Sequence, residues 1–126
     1  MMLERLKHHV FGPRVMAGAC EEVEACQAEV RVCRWIPWLG GLFAGMGQPA
    51  AAVCIGAIIV VNHDTPLTRR LFLHELEHVQ QWRSERLFLI RYIAYSLRFG
   101  YHENPYERAA RAAELEPSGR SRSPLP

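Results

Sequence analysis

Charge surplus, paired-cysteine motifs and an unbroken apolar span are all missing from this sequence, and each absence removes a class of function. Fifteen Lys and Arg against thirteen Asp and Glu leave a formal charge of +2, too little to point to a polyanion, so no nucleic-acid partner is expected. Fourteen of the fifteen cations are Arg, and Arg31, Arg34, Arg69, Arg70, Arg83, Arg86, Arg91 and Arg98 form no block. They read as solvated faces and local ion pairs. The four cysteines, Cys20, Cys26, Cys33 and Cys54, make no CxxC pair, which argues against a disulfide framework or a Cys-based zinc site. Free, partly buried thiols point to a reducing compartment, the cytoplasm.

No signal peptide is expected either. Val15 to Cys20 reads VMAGAC, outwardly like the small-residue-then-Cys site at which bacterial lipoproteins are processed, but His8, His9, Pro13 and Arg14 stand where the apolar stretch should be. Trp35 to Val61 holds no Asp, Glu, Lys or Arg over 27 residues, enough by length to span a bilayer. Pro37, Gln48, Pro49 and the glycines at 40, 41, 45, 47 and 56 interrupt it, and the clean run Ala50 to Val61 has only twelve residues, too few to cross. Its end, Ala57-Ile58-Ile59-Val60-Val61 after Gly56, is β-branched and reads as a buried strand or short hairpin. Association with a membrane surface is the alternative for this segment.

What is present suits one domain. The 126 residues, 49 % hydrophobic and 22 % charged, can bury a single modest core, expected over 1–116, with the Pro/Ser/Arg-rich stretch 117–126 a loose tail. Met1 to His9 can open a short helix and Glu21 to Ala28 a further turn or two, while Glu29 to Ile36 alternates like a strand. Three helices follow. Thr65 as cap and Pro66 at the first position start one that runs to about Glu85; Leu87 to Phe99, ended by Gly100, is a helix with Arg91 and Arg98 on one polar edge, core-packed or, as the alternative, leaning on a membrane; Asn104 and Pro105 open the third, to 116. The fold class expected is α+β, a small twisted sheet packed on the first and last of these helices.

The first helix carries His74-Glu75-Leu76-Glu77-His78, an HExxH pattern. Four residues rotate by about 40° net on a helix, so both imidazoles project from one face toward a shared point and can hold one metal ion. Neutral imidazole suits zinc, and Glu75, next to a ligand, is held near the metal without being on it, where a general base acting on metal-activated water belongs. Glu77 leans to the other side and is expected to face solvent or an Arg such as Arg70 or Arg83. A catalytic zinc usually has three protein ligands, and the third is sought in Tyr101-His102-Glu103-Asn104-Pro105-Tyr106-Glu107. Glu107, in the first turn of the last helix, is the leading candidate. Glu103 is a second, and Asn104-x-x-Glu107 is equally a capping box, in which the carboxylate would only bond the Asn104 amide. His102, Tyr101 and Tyr106 are candidates for stabilising an oxyanion.

HELEHVQQW followed some thirty residues later by YHENPYERAARAAE resembles the gluzincin metallopeptidases, and more narrowly the minimal gluzincins, small relatives of the catalytic domains of integral-membrane metallopeptidases. The resemblance spans about Ala50 to Glu116. It implies a zinc peptidase with His74, His78 and Glu107 as ligands, Glu75 as base, and a cleft-lining strand at Ile58 to Val61. Peptide or protein is then the substrate, held on an exposed strand edge by main-chain bonds, with broad specificity and a preference for apolar residues beside the cut. A zinc-binding module that does not cleave, and a membrane-associated interaction module, are the two alternatives.

Overall fold

The computed structural model describes residues 1–15 and 20–115; the expected tail at 117–126 and the centre of VMAGAC lie outside them. The described residues form an α+β unit of six helices and three strands: α1 (Met2–Phe11), α2 (Glu22–Ala25), β1 (Glu29–Cys33), α3 (Trp35–Phe43), β2 (Ala52–Ile55), β3 (Ile58–Asn62), α4 (Arg69–Ser84), α5 (Phe88–Phe99) and α6 (Pro105–Ala113). No helix among them is long and apolar enough to cross a membrane.

The sheet runs β1-β3-β2. β3 pairs parallel with β1, Val30 opposite Ile59, and antiparallel with β2, Val53 opposite Val60. The β2–β3 hairpin turns through two residues, and Gly56 supplies the positive φ of +61° that the first of them needs. Ile59, Val60 and Val61 are wholly buried, because an unbroken β-branched run suits a central strand covered on both faces. The edge expected at Ile58–Val61 therefore does not exist: β3 is paired on both sides, and the outer strand of the hairpin is β2.

Strand alternation sends Val30, Ile59 and Val61 to one face, where Phe72, Leu73, Leu76 and Val79 of α4 pack on them. Cys33 and Val60 go to the other, against Ile36 of α3, with Phe11 alongside. α6 lies against α4 on the side away from the sheet. The helix α3 falls where the sequence reads as strand or interruption. Pro37 sits in its first turn, where no N–H partner is required, and Gly41 lies where the returning chain crosses the helix, since a Cβ there would collide with the Gln48 carbonyl oxygen.

Two further expectations change. α4 is capped by Thr68, whose hydroxyl accepts the Leu71 N–H at 3.2 Å. Thr65 instead closes a turn onto the Asn62 carbonyl at 3.0 Å, which delays the helix by one Thr. Arg31 is buried, not solvated. Its guanidinium is roofed by α1 and bonds Glu29 at 2.7 Å, Glu4 at 2.9 Å and the Gly12 carbonyl at 3.0 Å.

Candidate metal centre

α4 and α6 bring the histidines and one carboxylate together. Asn104 caps α6, accepting the Tyr106 N–H at 3.0 Å, while its own N–H goes to the Tyr101 carbonyl. The capping box is thus not formed, and Glu107 is left to point back across the helix pair. His74 Nε2 lies 3.1 Å from Glu107 Oε2, and His78 Nε2 lies 3.0 Å from Oε1. One donor atom from each of His74, His78 and Glu107 falls within 4.8 Å of the others. Glu103 and His102 are exposed.

The far nitrogens of both rings are also held. His78 Nδ1 donates to Gln81 Oε1 at 2.8 Å, and the orientation of that amide is set by its NH2, which donates to the Tyr106 carbonyl at 3.1 Å. His74 Nδ1 is 2.9 Å from Glu114, itself fixed by Arg70 at 2.7 Å. With both Nδ1 atoms occupied, both Nε2 atoms are turned to the same point, the arrangement that orients imidazoles for a metal.

Tyr92 of α5 donates to Glu107 Oε1 at 2.7 Å, and Tyr101 lies close enough that burial and the Glu107 charge push its hydroxyl well up. Tyr106 points elsewhere, its hydroxyl bonded to Glu85. Of the oxyanion candidates named from the sequence, Tyr101 alone is beside the carboxylate. Gln81, Tyr92 and Glu114 are additions. Gln81 is one turn beyond His78 and Glu114 two turns beyond Glu107, spacings that place each on its neighbour's face; Tyr92 has no such signal, because its approach depends on how α5 crosses α6.

Burial raises the Glu75 carboxyl above its usual range against the opposing pull of both imidazoles, and its Oε2 is buried without a hydrogen-bond partner among the described residues. Glu77 is buried too, which rules out solvent among the two surroundings expected of it: the sheet, α2, α5 and α6 all contact α4 and leave it little open face. The Cys54 thiol of β2 is pushed well up by burial and by the Glu75 charge, and the Cys54 carbonyl accepts Trp82 Nε1 at 3.3 Å. The outer strand therefore runs beside Glu75.

Burial works to lower His78, but the Glu107 hydrogen bond and charge prevail and push it up to about 9. His74 is raised in the same way, and Glu107 is held far below the usual carboxylate range despite its burial, by the hydrogen bonds from both rings. Without metal, this is an ion-paired cluster. A raised imidazole contributes stability that is complete below its unfolded value near 6.5 and is lost as pH rises through the folded value. We expect the melting temperature of chelator-treated protein to fall between about pH 6.5 and 9, and that of His78→Gln protein to fall less; thermal scans across that window check it.

Comparison of the chain with protein-family models, with curated proteins and with solved structures finds no match.

Proposed function

We propose that the protein is a zinc-dependent peptidase of the gluzincin kind, with His74, His78 and Glu107 as metal ligands and Glu75 as general base. The observation that carries this reading is the convergence of two Nε2 atoms on one buried carboxylate while both Nδ1 atoms are anchored. Two imidazoles and a carboxylate suit zinc and leave a fourth position open. When bound, zinc supplies a Lewis acid and makes water a competent nucleophile near neutral pH.

The chain's own residues do the rest. Glu75 has an unpartnered oxygen and a raised pKa, so it can take a proton from the attacking water and pass it to the leaving amine. Tyr101, protonated and near the ligand carboxylate, can donate to a developing oxyanion, whereas the one O–H of Tyr92 is spent on Glu107 and orients it. Gln81 and Glu114 fix the imidazoles. The outer strand β2, which runs beside Glu75 and has its Cys54 carbonyl taken by Trp82, is the strand on which an extended peptide can pair.

Cleavage of a quenched fluorescent peptide library by zinc-loaded protein tests this. Turnover that a chelator removes and zinc restores is the expected result. Bound zinc with no cleavage of any member would support the non-cleaving module in its place.

A further inference from the structure

α5 packs on the rest of the molecule by one face only. Phe88, its single buried residue, lies among Trp82, Tyr92 and Tyr106 with ring centroids 4.9–5.7 Å away. The Asn104 side chain ties the same face down through the Tyr92 carbonyl at 3.1 Å and Ser96 at 2.8 Å. The helix, read from the sequence as core-packed or leaning on a membrane, is thus half exposed. Leu89, Ile93 and Leu97, four residues apart, form an outward row flanked by Ile90 and Ala94, and all five are exposed, Leu97 by 84 % and Ile90 by 64 %. Arg91 and Arg98, both exposed, stand on one edge of the row, Arg91 3.9 Å from Glu85 in the preceding turn, and between Glu85 and Glu103 the chain has no Asp or Glu at all.

We propose that this face docks the protein on an anionic lipid surface, with α5 lying in the interface. At twelve residues α5 is too short to span, but an apolar row with a basic border is the pattern of an in-plane helix, its aliphatic side chains entering the acyl boundary and its guanidinium groups reaching the headgroups. A second copy is the weaker occupant. Two such faces brought together would oppose arginine edges with Glu85, beside Arg91, as the nearby carboxylate, whereas an anionic headgroup layer offers a partner to Arg98 as well. The convex row also forms no groove for a partner helix. Because Tyr92 on the inner face bonds Glu107, docking would hold the candidate metal centre close to the membrane plane.

The test is co-sedimentation of the purified chain with phosphatidylcholine vesicles, with and without phosphatidylglycerol. Metal-free protein is used, so the result does not depend on whether the chain cleaves peptides. Binding is expected only to the anionic vesicles and should weaken at least about tenfold in Ile90→Glu/Leu97→Glu protein, both positions being exposed and tolerant of charge. Arg98→Glu alone should weaken it several-fold, and added salt should do the same. Failure to sediment with either vesicle, or equal binding to both, overturns the proposal. So does a dimer in sedimentation velocity that the double variant dissociates, since a second copy would then cover the face.

Discussion

Glu75→Gln will retain zinc and fold yet lose at least about a hundredfold in peptide hydrolysis, the scale on which a positioned general base contributes. The substitution preserves side-chain shape and removes only the ability to accept and return a proton. Among the described residues Glu75 Oε2 has no hydrogen-bond partner, and the carboxyl is destabilised in the charged form by burial. A neutral amide in the same place should therefore fold as well as the native residue or better, which separates chemistry from stability. The comparison to make is kcat/KM and melting temperature for both proteins at equal zinc loading. A large loss of activity at unchanged or raised melting temperature is expected; equal activity would remove Glu75 from the mechanism.

Glu29→Ala should be the most damaging single change away from the metal centre. Arg31 is among the largest fully buried side chains, and Glu29 is its nearest carboxylate at 2.7 Å. Removing one member of a buried pair typically costs about 3–5 kcal/mol, because the surviving charge keeps its desolvation penalty. Glu4 and the Gly12 carbonyl still bond the guanidinium, so the lower end, about 3 kcal/mol, is expected, with a fall in melting temperature on the order of 10 °C. Arg31→Met combined with Glu29→Gln removes both charges and should recover much of the loss. α1 has no buried residue, and this cluster ties its first two turns down by Glu4–Arg31 at 2.9 Å and Lys7–Glu29 at 3.7 Å, while Phe11 and the Val10 carbonyl, which accepts Trp35 Nε1, hold its end. Its amides should exchange faster in Glu29→Ala. Urea denaturation and hydrogen exchange read both effects.

Periodicity and caps made the second half of the fold legible. The Asn104-Pro105 start and the Gly100 stop are local signals, and the structure uses both. The hairpin around Gly56 was visible for the same reason, since one positive-φ position between apolar runs needs no tertiary information. α3 was not visible: its Pro and Gly are compatible with helix only because of where Pro37 falls in the turn and what passes over Gly41, and the second of these is a tertiary fact. The burial of Arg31 and Glu77 was not legible on similar grounds, because solvent exposure of a charged residue depends on which elements cover its own. At the site, residues on α4 and α6 could be placed by spacing. The edge available to a substrate could not, since strand order is set by the crossover from β1 to β3 and puts the most apolar strand in the middle.

Metal content decides the central claim most directly. Purified protein is loaded with excess zinc, desalted and analysed for metal per chain, in parallel with His74→Ala, Glu107→Ala and Glu103→Ala. A centre built from His74, His78 and Glu107 predicts one zinc per chain in the native protein and in Glu103→Ala, and its loss in His74→Ala and Glu107→Ala. Zinc that stays in His74→Ala, or leaves in Glu103→Ala but not in Glu107→Ala, would contradict it.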